Sequence, residues 1–443
     1  MMRSLYSGVM GLRAHQVRMD VIGNNIANVN TTGFKASRVN FSDMYNETLG
    51  GAASPTATSG GINSKQVGLG VGVGSIDVIQ TGGSLQATGK VTDLAIQGEG
   101  FFVLKDGNRF NYTRAGNFDF DEQGFLVNPA TGQRVQGWLP NATTGTFPTR
   151  DASTITDVKI NKTDNVLAKP TTKVTFDQAL NAASPIGTVH TAAATVIDSL
   201  GTKHTLTLNF TKVVNNAWDL TAKNESGGAI ALTNTYGGPA PGAPTILPAP
   251  AAGTARIQFN PDGSLMDDDG VAATPLQLAL NYPVTNGAVT PVAVNLDLSG
   301  VIQPALTGDV NTSSLRWLES DGYTTGTLTG ISIDARGVAT GYYSNGSFRA
   351  IAQVAMANFA NAGGLNKEPG NNWSESTNSG LAFIGSAQEG GRGSVASNNL
   401  EMSKVDLGAE FTNMIVTQRG FQANSRIITT ADEMLQEIVA LKR

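Results

Sequence analysis

The sequence predicts a multidomain α plus all-β protein, with N- and C-terminal helices paired as a coiled coil and nested antiparallel β domains in the middle. Three observations carry this. Apolar residues recur every seven positions at both ends of the 443-residue chain. Short alternating runs separated by Gly and Asn turns fill the centre. Charged residues make up only 15%, against about 25% in ordinary soluble domains, while 52 residues are glycine. That balance favours strands and tight turns over surface helices. At roughly 100–200 residues per domain, the length allows about two to four domains.

The first helix follows from spacing. Leu5, Leu12, Met19 and Ile26 fall on one line, with Val9, Gln16 and Gly23 on the line between. Gly8, Gly11 and Gly23 weaken a helix by about 1 kcal/mol each relative to Ala. They also leave a thin surface against which a second helix packs closely. The helix should stop within residues 28–33, where Asn, Thr and Gly disfavour continuation.

The C-terminal helix is expected over residues 403–441. Leu400, Leu407, Met414, Phe421, Ile428 and Leu435 recur every seven residues, and a mixed second line includes Phe411 and Val439. Ser403 offers a cap, with Asp406 three residues on. One stripe cannot bury itself. The expectation is that residues 1–30 and 400–443 pair antiparallel as a helical inner domain. Their seam is Leu5, Val9, Leu12, Met19, Ile26, Leu400, Leu407, Phe411, Met414, Phe421, Ile428, Leu435 and Val439, which would also pack against neighbouring copies.

Between the ends, residues 31–70 are polar and rich in Gly, Ser and Thr, and read as a linker or irregular arm. Residues 71–145 plus 321–395 read as a first β domain, with hairpin turns at residues 106–107 and at Asn345 and Gly346. Residues 146–320 read as an inserted outer β domain. In it, His204, Leu206, Leu208 and Phe210 share one strand face, and Val292, Val294, Leu296 and Leu298 share another. The proline-rich stretch 237–253 reads as an exposed loop and residues 267–269 as an acidic turn.

Site chemistry is missing. With no cysteine, disulfides, thiolate metal sites and cysteine nucleophiles are excluded. The glycines of residues 68–74 fit neither G-x-G-x-x-G nor a P-loop and read as a glycine-spaced strand. Asp119, Asp121 and Gly124 begin like a calcium loop, but the twelfth position is Ala130, not Glu. His15, His190 and His204 form no metal pattern, and no serine sits in a G-x-S-x-G elbow. The reading is no enzyme, no cofactor and no metal. A net charge of −5 without a basic block argues against nucleic acid. No run of 18 apolar residues offers a membrane span. The N-terminal residues lack the apolar core and cleavage site of a secretory signal, so export without a cleaved signal peptide is expected.

Three segments together resemble the bacterial flagellar rod/hook/basal-body protein family. The first is GNNIANVNTTGFK at residues 23–35, whose Asn24, Asn25, Ala27, Asn28, Asn30, Thr32, Gly33 and Phe34 form the motif. The second is TGGSLQATG at 81–89 with DLAIQGEGFF at 93–102, YTRAG at 112–116, and Gly137 and Trp138. The third is SNNLEMSKVDL at 397–407 with QRGFQAN at 418–424. The long insertion favours the hook-forming branch over the distal rod branch. The resemblance implies a tubular homopolymer, outside the cell in the flagellar hook and basal body, that joins rod to filament as a flexible universal joint. The partners it implies are other copies of the chain, a rod protein at the proximal end, a hook–filament junction protein at the distal end, a hook cap during assembly, and the flagellar type III export apparatus. A secreted adhesin or tail-tube polymer is the rival from another class, and the terminal helical repeats with the 23–35 motif argue against it.

Overall fold

The structure is a computed structural model. It describes residues 2–440 except 57, 142–144, 162–164, 235–252, 267–276, 285, 290 and 306–312. The acidic turn expected at 267–269 lies outside the described residues, as does the proline-rich stretch apart from Gly253. The chain divides into two compact units. Unit 1 is Met1–Lys162, Ile331–Gly341 and Arg349–Arg443, and unit 2 is Thr163–Gly330 and Tyr342–Phe348.

Unit 1 begins and ends in helix: α1 is Met2–Ala27 and α2 is Leu407–Ala440. At 1.5 Å per residue, α2 is about 50 Å long. Helix α1 stops where the sequence predicts. The Asn28 amide donates both to Asn24 and Asn25 carbonyls, and the Asn28 side chain caps the Asn24 carbonyl at 2.9 Å. Helix α2 starts four residues later than expected. Its cap is Asp406, whose Oδ1 accepts from the amides of Gly408 and Ala409. Ser403 cannot serve, because the residues just before it are held in strand. Leu400, expected on the helical seam, lies in strand Asn399–Glu401, which pairs with Leu85–Ala87.

The arm expected at 31–70 is not irregular throughout. Ser37–Asp43 pairs antiparallel with Val71–Val78, and Asn46–Gly50 pairs with Lys65–Gly68. Composition hides these strands because they are short and lie in a stretch rich in Gly, Ser and Thr. What orders the first is cover from α1: Phe41 takes the His15 ring edge-on at 5.5 Å.

The β core of unit 1 is built on the hairpin Phe101–Asp106 and Arg109–Thr113. Arg134–Trp138 and Met356–Asn358 pair with its first strand, and Asn372–Ser374 with its second. Phe101, Val103, Tyr112, Trp138, Phe359 and Trp373 fill the core. Residues 146–161 stay with this unit rather than with the insertion. The Trp138 indole donates to Thr154 Oγ1 at 3.1 Å, and Thr156–Asp157 pairs with Gln136 and Gly137. The acidic turn at 121–124 closes on itself, with Asp121 accepting the Phe125 amide at 2.7 Å.

Unit 2 is a β-sandwich. One sheet runs in the order Leu232–Asn234, Gln277–Tyr282, Val292–Ile302, Lys173–Ala179 and Arg316–Ser320. The other contains Val189–Ile197, Lys203–Val214, Ala217–Lys223, Ala229–Ile230 and Ala255–Gln258. Their inner faces share one core, which includes Phe176, Leu206, Leu208, Phe210, Trp218, Val294, Leu296 and Leu298. Both predicted alternations point inward as expected. One pairing is parallel, Lys173–Ala179 on Val292–Ile302. More than a hundred residues separate the two strands, so the chain has the long crossover that a parallel pair needs. Polar groups close the edges of this core. The Asp198 carboxylate is fully buried and accepts from His204 at 3.0 Å and from the amides of Leu200 and Thr202. Burial pushes its pKa up, but these bonds and that of Asn286 outweigh it and hold the carboxyl well below the usual range.

Candidate assembly site: a helix pair and the buried charged junction beside it

Helices α1 and α2 pack antiparallel. Gly8 lies against Ile428, Gly11 against Asn424 and His15 against Gly420. Arg18 reaches Asn413 at 3.4 Å, and Asn25 donates to Glu410 at 3.0 Å. On α1 the contacts therefore fall at 8, 11, 15, 18 and 25, with the buried Ile22 on the same line at spacings of three and four. It lies beside the apolar line expected for the seam. Glycine explains the offset, because a Cβ on Gly11 would fall 2.6 Å from the Asn424 amide nitrogen. Gly8 admits the Ile428 side chain and the Asn424 carbonyl, Gly11 admits the Asn424 side chain, and the larger side chains flank them.

Leu5, Val9, Leu12, Met19 and Ile26 are half-buried beside this line, as are Met414, Ile428 and Leu435. On α2 the fully buried residues are Thr417 and Ala431. Leu407, Phe411, Phe421 and Val439 are exposed, and so are Ile415, Val416, Ile427, Met434 and Ile438. Phe411 keeps 50%, Ile415 58% and Val439 69% of its surface. Helix α2 thus has one face on α1, and large apolar side chains that no described residue covers flank that face on both sides.

The end of α1 leads into a junction where the three motif segments meet. Asn25 is buried and ties three elements together. Its amide donates to the Ser37 carbonyl and to Glu410, and its Oδ1 accepts the Ser37 amide at 3.0 Å. Thr31 donates to Asn28 Oδ1, and the Thr32 carbonyl accepts from Asn371 at 2.7 Å. Asn24, Ala27 and Asn30 are exposed. Gly33 has φ +66°, and a Cβ there would lie 2.7 Å from the Ala115 nitrogen. Only glycine combines that backbone with that approach. Its amide donates to the Glu401 carbonyl at 2.7 Å. Phe34 is buried beneath Lys367, whose ammonium stands 4.1 Å from the ring centroid.

At the centre are three buried charges. The Glu401 carboxylate accepts Lys35 at 2.6 Å, Arg114 at 3.4 Å and the Gly83 amide at 2.8 Å. Lys35, Arg114 and Glu401 are all nearly inaccessible. The second positive charge is answered by carbonyls. Lys35 also donates to Thr81, and Arg114 to Gly98 and Ile96. Burial pushes the Lys35 ammonium down from its ordinary pKa. Glu401 opposes that shift, and Arg114 adds to it. Arg114 is lowered in the same way by burial, against the pull of Glu401. This cluster is absent from the sequence reading. The available signal was a lone charge, Lys35 and Arg114, in each of two motif runs of a charge-poor chain, with Glu401 in the third.

Among the described residues, no group of three or more His, Cys, Asp or Glu side chains is arranged to hold a metal ion. No helix among them is long and apolar enough to cross a membrane.

The segments that meet at the junction are also among those that match known proteins. Residues 5–35 match the family described as "Flagella basal body rod protein", and residues 95–168 match "Flagellar hook protein FlgE/F/G D1 domain". Residues 163–323 match "Flagellar basal body protein FlaE D2 domain", and residues 396–441 match "Flagellar basal body rod FlgEFG protein C-terminal". The flagellar hook protein FlgE of Treponema pallidum is 41% identical over the whole of both chains, and that of Borreliella burgdorferi is also 41% identical over the whole of both. The crystal structure of Helicobacter pylori flagellar hook protein FlgE2 superposes with a TM-score of 0.52. It shares 15% identity and covers 72% of this chain and 100% of its own. With full-length relatives at 41% identity and family matches at both ends and through the middle, the chain belongs to the flagellar hook protein FlgE family: it is a structural subunit of the bacterial flagellar hook, not an enzyme.

Proposed function

We propose that the chain polymerises into a tube through α1 and α2, the pair forming a coiled coil that neighbouring copies extend. The observation that carries this is the set of large apolar side chains left exposed on α2 from Leu407 to Val439, on both flanks of its contact with α1. Water contact at so many large side chains is costly, and a second copy of the same helix pair is the surface of matching length and polarity. In this reading the two terminal helical segments make the inner layer, the β core of unit 1 a second, and the sandwich of unit 2 the outside. Bending then requires outer contacts that slide while the helical seams persist. The outer unit suits that role, with its polar strand faces and few charges. The rod protein, hook–filament junction protein and hook cap would meet the ends of the tube. Export through the type III apparatus, without a cleaved signal, would deliver the chain outside the cell.

Two deletions test this. Removing residues 407–443 is expected to abolish tubes in negative-stain microscopy while the full chain forms them at high concentration. Tubes from the shortened chain would refute the helical seam. Removing residues 170–322 is expected to leave tubes whose curvature is altered. The join is feasible because Lys169 and Tyr323 exchange backbone hydrogen bonds at 3.0 and 3.1 Å. Failure of that chain to assemble would count against an outer role for the sandwich.

A further inference from the structure

The contact between α1 and α2 contains one group that titrates near neutral pH. His15 sits on the contact line of α1. Its ring packs on the backbone of α2, since a Cβ on Gly420 would fall 2.6 Å from both Cε1 and Nε2. Phe41 closes a second side at 5.5 Å, and the Arg18 guanidinium lies 5.8 Å from the same phenyl centroid. Nδ1 is buried and has no hydrogen-bond partner among the described residues.

The surroundings suit a neutral ring and oppose a charged one. On its own helix the nearest charge facing it is Arg18, a cation. Helix α2 offers the uncharged Asn413, Thr417, Gly420 and Asn424 along the contact. On the strand Ser37–Asp43 the charges are Arg38, paired with Asp77, and Asp43, which accepts from Asn46 at 2.7 Å. Glu410, the acid of α2 nearest this region, is engaged by Asn25. Among the described residues, no carboxylate pairs with His15. A second proton on the ring would therefore add a cation beside Arg18 and bury an N–H donor without an acceptor.

We infer that His15 is a proton-sensitive latch on the helix pair, neutral when α1 and α2 are closed and protonated when acid parts them. The sign follows from linkage. Burial, and then Arg18, hold the His15 pKa below its ordinary 6.5. The closed pair is thus at full strength above 6.5 and weakens as pH falls through 6.5 toward the lowered value, because the open state binds the proton better. The inference does not depend on assembly, since the contact lies within one chain.

The test is hydrogen exchange of the full-length chain, dispersed and assembled, resolved for segments of α1 and α2 at pH 7.5 and 5.0 and corrected for the intrinsic rate. The expected result is a several-fold rise in opening of both helices at pH 5.0, with unit 2 peptides as the internal reference. In His15→Gln that rise should vanish. A pH response equal in both chains, or none in the wild type, overturns the latch. Should His15→Gln lose protection already at pH 7.5, the His15 ring signal in a 1H–13C titration of the wild type decides. Protonation accompanied by shifts in α2 resonances around Gly420 supports the latch, and protonation that leaves them unmoved overturns it.

Discussion

Replacing Glu401 with alanine is expected to destabilise unit 1 by about 3–5 kcal/mol, the usual cost of removing one partner from a buried ion pair. Lys35 and Arg114 would be left in a site that excludes water, facing each other with no anion between them. The Gly83 amide would lose its acceptor as well. Because Glu401 joins residues far apart in the chain, its loss should loosen the strands Leu85–Ala87 and Asn399–Glu401 and, with them, the root of α2. Glu401→Gln keeps an acceptor for Gly83 but not the charge, and should fall between alanine and wild type. The exposed pair of Arg3 and Glu47 is the control. Such surface pairs contribute about 0–1 kcal/mol, so Glu47→Ala should barely register. Urea unfolding followed by segment-resolved hydrogen exchange separates the two units. A loss below about 1 kcal/mol for Glu401→Ala would mean that the three charges are solvated and the junction is not closed.

The double substitution Phe411→Ser and Ile415→Ser is expected to block assembly while leaving the single chain intact. Both side chains lie on the uncovered face of α2, and exposed positions usually change stability by less than about 0.5 kcal/mol. Covering them in a polymer would contribute about 1.5–3 kcal/mol each. Losing both should raise the concentration needed for assembly by roughly two to four orders of magnitude, at tenfold per 1.4 kcal/mol. Sedimentation of polymer across a concentration series gives the threshold, and hydrogen exchange of the dispersed chain reports its fold. An unchanged threshold would mean that this face is not where copies meet.

Much of this architecture is written locally. Seven-residue spacing announces α1 and α2, and the Asn and Gly run after residue 27 ends the first at the right place. Period-two alternation marks Lys203–Val214 and Val292–Ile302 with the correct inward faces. The segments that resemble the flagellar family are the ones that converge on Glu401. The strands of the 37–68 arm were not legible, because they are short and set in a Gly-, Ser- and Thr-rich stretch, and the packing of His15 of α1 on Phe41 is a tertiary contact.

The sequence by itself determined that both ends are helical, that the centre is β, and that cysteine chemistry is excluded. The tertiary structure decided the rest. It drew Leu400 out of the helical seam into a strand on Leu85–Ala87, and moved the α2 cap to Asp406. It set the α1 contact on Gly8, Gly11 and His15 rather than on the larger neighbours. It also brought Lys35 to Glu401 across 366 residues of chain. Periodicity records which face of an element is apolar. It carries no information about which distant backbone will come close enough to use that face, or about which buried charge will find its partner.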